Sequence, residues 1–188
     1  MPVLNRVSIV FGLAFFLTAG AVQAKNAHDF VFETPAGEEI ALSDFAGRPV
    51  LVAITDSYCG LTNQYPDLQA LWERYDADGL MVLGVPTDAF VTRQSMSPRE
   101  FMQYCRRMIN ITFPLADTIA IQGENAHPFF DWLEAQAGLD ALPRLPFYKY
   151  LIGAQGELLG WFPPATDPNA AAIRDAIERS LGAPRAAS

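Results

Sequence analysis

The chain has 188 residues, 51% of them hydrophobic and 18% charged, and its 13 basic against 21 acidic side chains give a formal net charge of −8. That acidity argues against nucleic acid or an anionic lipid surface as a partner, because both recruit proteins through basic patches. The two cysteines, Cys59 and Cys105, permit one disulfide and no zinc site of ordinary ligand count.

Met1 to Ala24 carries a single charge at Arg6, then an apolar stretch from Val7 to Ala19, then the small-residue ending Ala21, Val22, Gln23, Ala24. This is the pattern of a cleavable secretory signal, and the apolar stretch is short for a membrane span of about 20 residues. Cleavage after Ala24 removes Arg6 and leaves 164 residues with a net charge of −9. The expected mature protein is one domain, Lys25 to Ser188, exported to the periplasm or secreted, with no stable membrane insertion. A disulfide persists in such a compartment.

Phe30, Phe32, Ile40 and Leu42 alternate with polar residues around the turn-forming Thr34, Pro35, Ala36 and Gly37, which predicts a β-hairpin. Val50 to Thr55 reads as a buried strand and Leu61 to Asp76 as a helix, whose Leu68, Leu71, Trp72 and Tyr75 recur at helical spacing and belong to the core. Asp78 and Gly79 end that helix, and Leu80 to Val85 is a second continuous apolar strand of the kind parallel sheets bury on both faces. After a loop from Pro86 to Ser97, Ser97 as N-cap, Pro98 in the first position and Glu100 in the first turn open a helix that carries Cys105 and fades near Asn110. A further helix is expected from Ala126 to Gln136, then an antiparallel hairpin of Phe147 to Ile152 with Glu157 to Phe162, then an amphipathic helix from Asp167, its N-cap, to Leu181. Gly182 to Ser188 reads as a frayed tail. A βαβ unit, a helix, an antiparallel hairpin and a closing helix give an α/β, thioredoxin-like fold: a central mixed sheet with helices on both faces and an N-terminal β-hairpin.

Cys59, Gly60, Leu61 and Thr62 fall where the first apolar strand gives way to a helix. Free amides at a helix start and the positive end of its dipole favour a thiolate there, so sulfur chemistry at Cys59 competes with the reading of a buried packing cysteine. His28 and His127, the only histidines, stand at no metal-ligand spacing and read as structural or surface residues with satisfied bonds. Neither a metal nor a cofactor is implied.

Several segments together resemble the glutathione peroxidase family from Phe30 to about Leu181. Cys59-Gly60-Leu61-Thr62 with Gln64-Tyr65 is similar to the family's peroxidatic-cysteine motif, and Gly79-Leu80 to Gly84-Val85-Pro86 to its second strand. Thr112-Phe113-Pro114-Leu115 with Gly123-Glu124-Asn125-Ala126-His127-Pro128 is the most specific run, and Lys149-Tyr150-Leu151-Ile152 with Gly156 to Phe162 resembles the closing hairpin. The resemblance implies a thiol peroxidase in which Cys59 reduces hydrogen peroxide or an organic hydroperoxide and passes through a sulfenic acid, the chemistry of a response to oxidative stress. It also implies Cys105 as a resolving cysteine, with a thioredoxin-like reductant expected in preference to glutathione. The contrasting reading of Cys105 is a buried helix residue.

The match departs from the family at its catalytic tetrad of cysteine, glutamine, tryptophan and asparagine. Ala89 stands at the glutamine position and Leu145 and Pro146 at the tryptophan and asparagine positions, so three side-chain donors are replaced. Asp88 precedes the glutamine position, where a negative charge raises a thiol pKa, and Gln94 lies further along the same loop. The amides of Gly60 and Leu61 and the Thr62 hydroxyl remain to stabilise a thiolate. Two other readings follow: a catalytically degenerate thioredoxin-fold module with a structural or sensing Cys59/Cys105 pair, and a disulfide oxidoreductase, which the lack of a Cys-x-x-Cys disfavours.

Overall fold

The computed structural model describes residues 26–56, 64–90, 97–104, 106–107 and 110–182. The expected signal segment, the 182–188 tail beyond Gly182, and Cys59, Gly60, Leu61, Thr62, Gln94 and Cys105 lie outside the described residues.

Apolar residues without polar alternation form the two central strands, β3 (Val50–Asp56) and β4 (Met81–Thr87), every residue of which is buried. They pair in parallel from Val50↔Met81 to Asp56↔Thr87, joined by α1 (Gln64–Tyr75). On the other side of β3 lies β5 (Tyr148–Ile152), antiparallel, followed by β6 (Leu158–Phe162), so the sheet order is β4-β3-β5-β6. The 113–116 segment runs along the free edge of β4: the Gly84 amide donates to the Pro114 carbonyl at 3.0 Å and the Ala116 amide to the Gly84 carbonyl at 2.8 Å. A Cβ at Gly84 would sit 2.5 Å from a Leu115 methyl and 3.1 Å from the Phe113 ring, so a side chain here would push both out of the core they fill.

Helices cover both faces, as two cores show. Leu68 and Leu71 of α1 pack with Leu51, Leu151 and the Ile173 and Ile177 of α4 (Ala171–Leu181). On the opposite face, Phe129, Trp132 and Leu133 of α3 (Phe129–Ala137) pack with Val52, Ile54 and Tyr150. The N-terminal hairpin, β1 (Val31–Glu33) with β2 (Glu39–Ala41), forms a separate two-stranded sheet that enters this second core through Phe32. His127 fixes it there, its ring stacked on Phe32 at 4.5 Å and its Nε2 3.0 Å from the Val31 carbonyl.

Two helices begin later than the residue pattern suggests. Ala126 bridges to Ala120 and the His127 amide donates to the Ala120 carbonyl at 3.0 Å, so these residues are extended and α3 starts only after Pro128. Asp167 does not cap α4. Its carboxylate accepts from the Asn169 amide at 2.7 Å in a local turn that delays the helix to Ala171. At α2 (Pro98–Tyr104) the pattern holds: the Glu100 carboxylate accepts from the Ser97 amide at 3.0 Å and the Ser97 hydroxyl from the Glu100 amide at 3.4 Å. His28 departs from expectation, since its Nε2 is buried with no hydrogen-bond partner.

Candidate active site

Because β3 and β4 are parallel and β5 is antiparallel to β3, one edge of the sheet collects the end of β3 at Asp56, the end of β4 at Thr87 and the start of β5 at Tyr148. Cys59 follows Asp56 by three residues, Ala89 follows Thr87 by two, and Leu145 and Pro146 lead into β5. All four tetrad positions thus belong to segments leaving or entering the same edge.

The ends of the Cys59 segment are tied to each other. Tyr65 is fully buried in the first turn of α1, and its hydroxyl donates to the Asp56 carbonyl at 3.2 Å. Burial pushes that phenol's pKa far up, so it remains a donor at any physiological pH. Its ring packs edge-on against Phe147 at 5.2 Å. Phe147 itself has a left-handed backbone, φ +69°, unusual for a bulky residue, and its amide donates to the Ile54 carbonyl. That bond fixes the height at which Leu145 and Pro146 meet the edge.

The replaced tetrad positions present apolar surface. Leu145 is 60% exposed, and Ala89 is exposed with its amide 3.3 Å from the Thr87 hydroxyl oxygen, to which it donates. Beside Ala89 an open groove of about 500 Å³ runs between Thr87 and the Thr118 to Gln122 segment, with Ile119 and Ile121 on its wall. Among the described residues at these positions, no side-chain donor replaces the family's glutamine, tryptophan or asparagine.

A buried polar network below the edge is not foreseen by the residue reading. Lys149 on β5 is fully buried, and its Nζ donates to Gln64 Oε1 at 2.8 Å and to the Thr166 carbonyl at 2.6 Å. Gln64 Nε2 in turn donates to the Pro164 carbonyl at 2.8 Å. Burial pushes the ammonium's pKa down to about 8, against the opposing pull of the Asp167 carboxylate. The sequence signal for this network is the lysine itself, a charge within the otherwise uncharged strand Tyr148–Ile152. No group of three or more His, Cys, Asp or Glu side chains among the described residues is arranged to hold an ion. No helix among them is long and apolar enough to cross a membrane.

A four-stranded mixed sheet with a βαβ unit, a closing hairpin and helices on both faces defines a protein of the thioredoxin-like fold. The glutathione peroxidase family model matches residues 27–134, and the chain belongs to that family. It is 35% identical over 158 residues to the glutathione peroxidase homolog BsaA of Halalkalibacterium halodurans, covering 83% of this chain and 99% of the relative. The hydroperoxy fatty acid reductase gpx1 of Synechocystis is 33% identical over 156 residues, covering 78% and 92%. The crystal structure of Trgpx in apo form superposes with a TM-score of 0.69 at 31% identity, covering 86% of this chain and 98% of that one. The protein is accordingly a peroxidase of the glutathione peroxidase type.

Proposed function

We propose that the protein is an exported thiol peroxidase working through Cys59. The thiolate attacks the terminal oxygen of a hydroperoxide and the O–O bond breaks. The leaving oxygen takes a proton and departs as alcohol or water, and Cys59 is left as the sulfenic acid. Cys105 then attacks the Cys59 sulfur; an S–S bond forms, the S–O bond breaks, and the hydroxyl leaves as water with the Cys105 proton. A thioredoxin-like dithiol supplies the two electrons that restore both thiols. The observation that carries this reading is the extent of the family match, residues 27–134, which includes both cysteines.

Export is supported by the charge and apolar pattern of Met1 to Ala24, and a thioredoxin-like donor by the acidic chain, which offers an anionic tripeptide thiol no basic patch. To test the chemistry, reduced protein is mixed with hydrogen peroxide or an organic hydroperoxide; consumption no faster than with Cys59→Ser rules the proposal out. The exposed, donorless Ala89 and Leu145 favour one second reading, a degenerate module with a fixed Cys59/Cys105 bridge. A reduction potential well below about −300 mV for that pair would select it.

A further inference from the structure

The 163–170 segment, which joins β6 to α4, contains Pro163, Pro164 and Pro168, and its backbone bonds to itself in two local turns: the Thr166 amide donates to the Pro163 carbonyl at 3.0 Å and the Ala170 amide to the Asp167 carbonyl at 2.9 Å. Side-chain bonds hold it against the first turn of α1 and the neighbouring β5. Gln64 Nε2 donates to the Pro164 carbonyl at 2.8 Å, Lys149 Nζ to the Thr166 carbonyl at 2.6 Å, and Asn169 Nδ2 to Asp67 Oδ1 at 3.0 Å. Lys149 Nζ also donates to Gln64 Oε1 at 2.8 Å, so this one side chain on β5 binds α1 and the segment at once. Pro168 is buried beneath them.

That joint carries a charge. Lys149 is fully buried with neutral bonding partners, and among the described residues no carboxylate lies within salt-bridge distance of it. In the sheet it pairs with Ala53 of β3 and Phe162 of β6, both uncharged. The charged groups nearby belong to the other elements: Asp167 on the segment itself acts from a distance, Asp67 on α1 is engaged by Asn169, and Arg174 on α4 donates to the Asn169 carbonyl at 2.8 Å. A buried ammonium held only by neutral groups regains hydration when its surroundings part, so this joint resists opening less than an uncharged one with the same bonds. We propose that the 163–170 segment is a strap over α1, latched by Lys149 through Gln64, and that strap and first turn open together as one unit ahead of the rest of the domain. Gln64 is joined directly to the 57–63 segment, so the strap governs the point at which that segment enters the helix.

Amide hydrogen exchange of the mature chain, followed by NMR, tests this. Thr166 and Ala170 report on the strap; Leu68 and Gln69, whose amides close the helix on the Gln64 and Tyr65 carbonyls, report on the first turn; α3 is the reference. Lys149→Met is expected to speed exchange at all four amides about ten- to a hundredfold, the scale of bonds lost from a charged donor, with α3 unchanged. Asn169→Ala, which removes the outer bond, is expected to speed the same four about threefold. Faster exchange at Thr166 and Ala170 with Leu68 and Gln69 unmoved would overturn the proposal, since the segment would then fray alone. Should Lys149→Met fail to fold, the same comparison in Asn169→Ala decides. A second readout is pH. The closed fold gives up the lysine's proton at about pH 8 and the open form at about 10.4, so opening becomes rarer as pH rises between those values. Protection relative to α3 is expected to rise up to about tenfold from pH 7 to pH 9 and to stay level in Lys149→Met. A level profile in the parent would overturn the latch.

Discussion

Gln69 and Thr112 hold each other twice: the Thr112 amide donates to Gln69 Oε1 at 2.8 Å, and Gln69 Nε2 donates to the Thr112 hydroxyl at 2.8 Å. Gln69 Nε2 also reaches Glu73 Oε1 at 2.9 Å, so the amide is fully engaged although the residue is only 6% exposed. The pair joins α1, the helix after Cys59, to the chain that emerges from the Cys105 segment and runs on to the edge of β4. Replacing Gln69 by Leu removes these bonds, and because Thr112 and Glu73 are themselves exposed, water replaces part of what is lost. The expected loss is about 1 kcal/mol, and a double-mutant cycle with Thr112→Val should return a coupling of about 0.5 kcal/mol. Urea denaturation checks both, and a coupling near zero would mean that water replaces the contact.

Restoring the missing donors should accelerate the reaction. Ala89 and Leu145 are exposed, on segments that adjoin the edge where β3 ends at Asp56, so glutamine and tryptophan can be introduced there without displacing core. One well-placed donor is worth about 10² to 10³ in rate in other enzymes, and donors that act together are not additive. Ala89→Gln with Leu145→Trp and Pro146→Asn is therefore expected to raise kcat/KM for hydrogen peroxide at least about tenfold. Stopped-flow kinetics read the change. No gain would indicate that the rate is set elsewhere, as by resolution at Cys105.

His127 gives the fold an acid-side weakness. Its Nδ1 accepts from the Phe129 amide at 3.3 Å and its Nε2 donates to the Val31 carbonyl at 3.0 Å, an arrangement that needs the neutral ring. Burial lowers its pKa below the ordinary value, and the Val31 bond opposes that shift without cancelling it. With the folded value below the unfolded one, the unfolded chain binds the proton first. This contribution to stability is complete above about pH 6.5 and declines as pH falls toward the folded pKa, below which it levels off. Urea midpoints at pH 7.5, 6.5 and 5.5 should fall in that order, with a shallower fall in His127→Gln.

The sheet was legible because Val50 to Thr55 and Leu80 to Val85 are buried on both faces and need no polar alternation, and the closing strands flank a turn at Ala154 to Gly156. Helix starts were less so, since Asp167 and Ala126 carry helix-compatible signals that local bonding spends otherwise: one on an Asx turn, the other on a bridge to Ala120. The buried Gln69 and Lys149 and the half-buried Gln64 each depend on a partner 43 or more residues away, a relation that neither periodicity nor spacing encodes. Ala89, Leu145 and Pro146 were identifiable from the sequence only through the resemblance, because an alanine or a leucine at a sheet edge carries no chemistry of its own.

The same long-range tie at Thr112 bears on how the two sulfurs meet. A disulfide needs Cα atoms within about 7 Å, and with the chain held at Thr112 the movement must come from the segment before it. That segment begins with α2, seven residues long and capped at Ser97 with exposed Arg99, Glu100 and Gln103. Helices below about 12 residues are marginal on their own, and among the described side chains of α2 only Tyr104 packs against a core, so unwinding α2 costs little. Oxidation by one equivalent of hydrogen peroxide is therefore expected to give an intramolecular Cys59 to Cys105 bridge, with amide hydrogen exchange in Pro98–Tyr104 faster in the oxidised form and that of α1 unchanged. Mass spectrometry identifies the bridge and hydrogen exchange locates the change. Sulfinic acid on Cys59 with Cys105 still open to alkylation would show that the second thiol does not resolve the first.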